Sequence, residues 1–154
     1  MYTMRQWSAR HARGLKHSYE WLERSLVKLY PYFQRMGLSK VEQPLMKFVE
    51  QPTKRFLFDS QSCGQCTLGS TGMSCPMNCP KTIRNGPCGG VRANGKCEVK
   101  PEMDCVWVVA WQGTQQLRTE QQALHILQPA LDWRLKGKSA WLRAAEQRIR
   151  EMKS

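Results

Sequence analysis

The chain of 154 residues contains no apolar run long enough to span a membrane or to form the core of a secretory signal, so it is expected to work in the cytoplasm without a membrane partner. It lacks a glycine-rich dinucleotide fingerprint and the length for eight strand–helix units, so it is not expected to hold a flavin as a barrel-type catalytic domain does. No complete active site is legible in it. Acidic residues are scarce: 12 Asp and Glu stand against 24 Lys and Arg, for a formal charge of +12. Such a basic chain is drawn to nucleic acid, to anionic membranes or to an acidic protein partner, and because the excess is spread along the chain rather than gathered in a tail, the nucleic-acid reading is weakened. Cysteine is absent before position 63 and after position 105. Histidine is absent between those positions, with His11, His17 and His125 all outside.

Helical periods occupy the two ends. Leu15, Tyr19, Leu22, Leu26 and Leu29 recur at spacings of three and four, which predicts an amphipathic helix over about 4–30 that Pro31 ends. Leu38, Val41, Leu45, Phe48 and Val49 renew the period, with Pro44 expected near the start of that second helix. Thr119 and Gln122 form a capping-box pattern for a helix closed by Pro129. Ser139 is a candidate cap for a last helix carrying Trp141, Leu142, Ala145, Ile149 and Met152 on one face. The β-branched and aromatic run from Cys105 to Trp111 reads as a short strand, with a buried helical turn as the alternative. Trp7, Trp21, Leu22, Trp133 and Trp141 amount to more apolar surface than a lone small module needs, which predicts burial against a partner; Trp21 and Trp141 also sit on or beside the helical stripes as packing residues. The expected architecture is mainly α, with an irregular cysteine-rich metal-bound core, at most one or two short strands, and helical arms on either side. The divisions are 1–58 for a partner-docking arm, 59–112 for the metal module and 113–154 for the C-terminal arm.

Between the arms lie Cys63, Cys66, Cys75, Cys79, Cys88, Cys97 and Cys105, together with seven of the eleven glycines. An odd count without a secretory signal argues against a disulfide framework. Buried thiols serving as small hydrophobes would not concentrate in the most Gly- and Pro-rich third of the chain. Metal ligation explains the clustering, because thiolates on a cation replace a hydrophobic core and binding energy becomes folding energy. Only Cys63 and Cys66 have the C-x2-C spacing of a zinc knuckle. The pairs Cys75-Pro76 and Cys79-Pro80, the lack of histidine, and Gly64, Gly89 and Gly90 beside the thiols point instead to an iron–sulfur centre, glycine allowing backbone donors close approach to cluster sulfides. Seven thiols exceed one four-coordinate site, so either a second metal site exists or some are structural. Zinc remains the alternative, and with it a zinc-stabilised nucleic-acid-binding module built on the tryptophans and basic residues.

The string "CGQCTLGSTGMSCPMNCPKTIRNGPCGGVRANGKCEV", followed by "CVW", resembles the C-terminal domain associated with methylenetetrahydrofolate reductases, of the MetV-type small cysteine-rich subunit; "QPALDWRLKGKSAWL" is also similar to the tail of such proteins. The resemblance implies an accessory subunit carrying a 4Fe-4S cluster. It implies docking on a separate flavin-containing TIM-barrel catalytic subunit, with flavin on that partner only. The subunit would pass electrons to the flavin or stabilise the interface, and its basic surface would attract an acidic electron donor. Electron-transferring relatives often carry one more cysteine three positions before the equivalent of Cys63; here Ser60 stands there.

Overall fold

The computed structural model describes residues 2–119 and 122–153. Helix α1 (Tyr2–Arg10) leads into the long α2 (Ala12–Met36), and α3 (Leu38–Pro44) passes through a π-helical turn (Leu45–Glu50) into α4 (Gln51–Phe58). After the irregular cysteine segment come α5 (Val106–Gln115), a single 3-10 turn (Trp133–Leu135) and α6 (Ala140–Lys153). α2 packs along α6, while α1 packs on both α5 and α4, so the two helical arms close on each other and on the segment between them.

The first stripe is realised with one change of phase. Leu26 is buried and packs with Trp141 and Ala145 of α6, flanked by Tyr19 and Leu22, but the next inward residue is Tyr30, and Leu29 faces solvent. Contrary to expectation, Pro31 does not end α2; the helix runs on until Gly37, whose φ of +91° suits glycine. Proline costs the helix the bond to the carbonyl four residues back, and the packing of Tyr30 and Phe33 against the α2–α6 cluster offsets that loss. Pro44 likewise lies at the end of α3 rather than near a helix start, where the winding widens into the π turn. That turn shifts the helical phase: Phe48 and Val49 turn outward, whereas Met46 and Glu50 turn inward. Glu50, Lys54 and Phe58 then form the buried stripe of α3–α4 at spacings of four.

Residues 105–111 are helical, not a strand. Val106, Trp107, Val109, Ala110, Gly113 and Thr114 are all buried, so α5 is enclosed on most of its circumference and its sequence carries no amphipathic period. The helix is also held at backbone distance from the cysteine segment: a Cβ on Gly113 would lie 2.1 Å from the Gly72 carbonyl oxygen. The helix expected after Thr119 is absent from residues 122–128, which form turns; Glu120 and Gln121 of that expectation lie outside the described residues. Ile126 and Leu127 are exposed, so a helix there would find nothing to pack its apolar face. Its cap pattern is replaced by longer-range bonds, with Asn85 and Gln128 exchanging two hydrogen bonds of 2.8 Å. At α6 the expected cap is present: Ser139 Oγ accepts from the Leu142 amide at 3.2 Å.

Residues 59–105 are irregular, apart from the 3-10 turn Pro76–Asn78 and isolated bridges pairing Val91 with Cys97 and Lys96 with Asp104. Contrary to the expectation from the sequence, they have a hydrophobic core of their own. Leu68, Met73, Cys75 and Met77 pack with Ala12, Phe58 and Leu117. Unbranched methionine fills such non-periodic gaps without a helical or strand pattern to announce it. α1 holds both ends of the segment, Arg5 pairing with Asp59 and donating to Met103 Sδ, and Gln6 bonding Asp104.

Candidate metal centre

All seven cysteines are free thiols; six of them fall into two groups, and Cys79 stands apart from both. Cys63, Cys66 and Cys75 border one small cavity of about 20 Å³, between the start of the irregular segment, α4 and the beginning of α6. Cys88, Cys97 and Cys105 belong to the lobe built by residues 88–105, and Cys79 closes the turn Pro76–Asn78 outside the cavity. Among the described residues, no three His, Cys, Asp or Glu side chains converge as ligands of one metal ion.

Each wall of the cavity has a separate cause. Cys63 and Cys66 sit in a turn whose Gly64 has φ +74°, and a Cβ there would be 2.1 Å from the Leu135 carbonyl oxygen. Gly64 thus answers to a packing demand from the Trp133–Leu135 turn, independent of any cluster. Asp132 accepts from Arg134 and caps that turn, and its own amide donates to Gln65 Oε1 at 2.7 Å, fixing the turn against the Cys63–Cys66 loop. Cys63 Sγ donates to the Gln65 carbonyl at 3.5 Å. Gly89 has φ +79° with open space around it, whereas a Cβ on Gly90 would run into the Glu98 carboxylate. That carboxylate pairs with Lys81 at the surface, next to the exposed Cys88, whose sulfur accepts from the Gly90 amide at 3.4 Å.

Burial and the groups around Cys66 set the electrostatics of the cavity. Burial, then the neighbouring Cys66, pushes the Cys75 thiol up to about 11, against backbone donors at Met77 and Gln61 that pull it down; Cys63 adds a smaller upward push. Burial also raises the Tyr19 phenol well above its ordinary value, reinforced by the charge of Cys66 and a hydrogen bond with it. Lys54 would be lowered by burial, but facing Cys66 and Glu50 leaves it raised. Its Nζ donates to Glu50 Oε1 at 2.7 Å and lies over the Trp141 ring, 5.1 Å from the centroid. Glu50 in turn accepts from Ser139 Oγ at 2.5 Å and from the Ala140 amide at 3.0 Å, so the carboxylate caps α6 from below the cavity. Arg84 completes the lining: Nη2 donates to the Gln65 carbonyl at 2.9 Å, while Nε and Nη1 are buried without an acceptor among the described residues.

Three thiols with two cations beside them are a donor set suited to an anionic, sulfur-bound centre, since thiolate is the ligating form and a buried negative group needs compensating donors. The room is less than the chemistry asks. A cavity that holds about one water does not admit an iron–sulfide cubane in this arrangement of the loop.

Residues 39–134 match the family described as methylene-tetrahydrofolate reductase C terminal. The chain belongs to that family. The part shared with the methylene-tetrahydrofolate reductase C-terminal family takes in all seven cysteines, Lys54, Arg84 and α5, and leaves out α1, α2 and α6. No curated protein and no solved structure matches the chain. No helix among the described residues is long and apolar enough to cross a membrane.

Sequence reasoning finds the cysteines but not the groups that surround them. Tyr19, Glu50, Lys54 and Arg84 read in the sequence as a stripe residue and ordinary surface charges. Trp141 is buried within the chain and Leu22 packs beside it, so neither awaits a partner. Trp7, Trp21 and Trp133 are 42, 68 and 58% exposed, so Trp21 is not the packing residue its place beside the stripe suggests.

Proposed function

We propose that the chain is an accessory iron–sulfur subunit of a methylenetetrahydrofolate reductase assembly, holding a 4Fe-4S cluster at the cavity of Cys63, Cys66 and Cys75 and docking on a flavin-containing TIM-barrel catalytic subunit. The observation that supports this reading is that three thiols, Lys54 and the unpartnered nitrogens of Arg84 line one cavity, in a chain of this reductase-related family. A cluster supplies one-electron chemistry, with a potential set by its charge, its hydrogen bonds and its exposure. Cys79, four residues beyond Cys75 and followed by proline, is the nearest further thiol in the chain for a fourth ligand. Cys88, Cys97 and Cys105 would then be structural or belong to a second site.

Docking has its own support. Pro87 and Val91, Trp107, Val108 and Trp111 of α5, and Leu124 line an apolar cleft of about 420 Å³. Apolar clefts with exposed aromatic residues are preferred contact surfaces, and exposed Trp7, Trp21 and Trp133 lie elsewhere on the surface. The basic balance suits an acidic electron donor that delivers electrons by long-range steering.

Anaerobic purification with iron, sulfide, zinc and flavin quantified on one sample tests the reading. Stoichiometric iron and sulfide with co-purifying flavoprotein supports it. A colourless zinc protein that binds nucleic acid with a steep salt dependence sinks it in favour of the zinc-stabilised module.

A further inference from the structure

Arg84 and Trp107 carry donors that the fold does not use. Arg84 Nε and Nη1 and Trp107 Nε1 are buried without an acceptor among the described residues. A buried indole N–H normally finds a partner, and a buried charged donor without one is costlier still. Trp107 is only 7% exposed and packs with Cys105 and Ala110, so its ring is held in place. Both residues line a pocket of about 150 Å³ between residues 84–86, the start of α5 and the turns at 124–128. Arg84 also borders the thiol cavity, but there its Nη2 is taken by the Gln65 carbonyl at 2.9 Å and the space holds about one water. The pocket is the larger space beside it. The other polar groups in the pocket wall are already matched: Asn85 and Gln128 exchange two bonds of 2.8 Å, and the Ser70 and Thr71 hydroxyls each donate to the Thr67 carbonyl at 2.9 Å. No Asp or Glu is among the described residues that line it. The wall therefore offers spare donors and one positive charge, bordered by the exposed apolar side chains of Ile126 and Leu127.

We propose that this pocket binds a small organic carboxylate, its oxygens accepting from Trp107 Nε1 and the free nitrogens of Arg84 and its apolar body lying against Leu124, Ile126 and Leu127. Charge selects the carboxylate. One guanidinium balances a single negative charge, whereas a phosphate monoester brings about −1.5 to −2 at neutral pH. Binding makes hydrogen bonds to an ionised acceptor, the stronger kind, and no covalent bond forms or breaks. No cysteine lines the pocket, so the inference stands apart from the iron–sulfur reading.

The test is isothermal titration calorimetry of the anaerobically purified full chain with benzoate, its neutral isostere benzamide, and phenyl phosphate, with iron measured on the same samples. Wild-type protein is expected to bind benzoate at a single site, and benzamide and phenyl phosphate roughly tenfold or more weakly. Trp107→Phe keeps an apolar ring and removes the N–H; it is expected to weaken benzoate binding roughly tenfold, and Arg84→Gln to weaken it further. Benzamide bound as tightly as benzoate, phenyl phosphate bound more tightly, benzoate affinity unchanged in either variant, or no saturable binding to folded wild-type protein each overturns the proposal. If Arg84→Gln fails to fold, Trp107→Phe and the benzoate-to-benzamide ratio decide. Iron-free protein that binds benzoate keeps this inference and counts against the iron–sulfur reading; iron-loaded protein that does not bind it does the reverse.

Discussion

The two groups of cysteines lie within one short stretch of chain yet occupy different physical settings. Cys63, Cys66 and Cys75 are enclosed by secondary structure from three distant parts of the sequence, with Tyr19, Lys54 and Arg84 around them. Cys88, Cys97 and Cys105 are held by local turns and bridges, and the charges near Cys88 are an exposed ion pair between Lys81 and Glu98. Closeness in sequence therefore does not make seven equivalent ligands. A buried charge acts through a low dielectric and is little screened, whereas exposed pairs contribute little, so only the first group has an environment able to tune an anionic centre.

The sharpest way to break the comparison is to remove one thiol from each group. If the proposed iron–sulfur reading holds, Cys66→Ser is expected to abolish most of the iron, because it removes a proposed ligand that also interacts with Tyr19 and Lys54. Cys88→Ser is expected to leave the iron content near wild type, since this exposed thiol lies outside the cavity. Iron and sulfide per chain measure both. Equal loss in the two variants would show that the groups act as one centre.

A second prediction concerns the support beneath the first group. Glu50→Ala removes the partner of a lysine that is only 4% exposed, together with the acceptor for Ser139 and the first amides of α6. Breaking a buried pair from one side costs about 3–5 kcal/mol, to be read from urea unfolding. Arg134→Ala, which removes an exposed partner of Asp132, is the control and should leave the urea midpoint close to wild type. A Glu50→Ala protein as stable as the control would mean that the Glu50–Lys54 pair is not the foundation of the cavity.

How much of this is legible in the sequence depends on whether the residue announces its surroundings. The stripe Leu15, Tyr19, Leu22 and Leu26 and the cap at Ser139 are local signals, and the structure keeps them. The run from Cys105 to Trp111 is not local in that sense. Its helix is enclosed, and enclosure erases the period that separates helix from strand. Glu50 and Lys54 look like solvated helix charges until the π turn rotates them inward, and no pattern of residue types foretells one extra residue in a helical turn. Pro31 shows the converse, a strong local signal overruled because the face beyond it still packs. The cysteine positions are visible in the sequence, but their division into two groups follows from where α1, α4 and α6 close on the segment.

The smallest effects come from the glycines, and they sharpen the comparison because two glycines share a conformation and differ only in surroundings. Gly64 and Gly89 have φ of +74° and +79°. An alanine in that region costs about 1–2 kcal/mol for its conformation alone, and this is all that Gly89→Ala should lose, since nothing lies within 4 Å of the added carbon. Gly64→Ala must also displace the Leu135 carbonyl from 2.1 Å, backbone against backbone with no side chain to swing aside, so its loss should exceed that of Gly89→Ala by about 1–3 kcal/mol. Denaturant unfolding of the two variants side by side measures the difference. Equal losses would mean that the Trp133–Leu135 turn does not press on the Cys63–Cys66 loop, and that α6 and the first thiol group are less tightly joined than their contacts indicate.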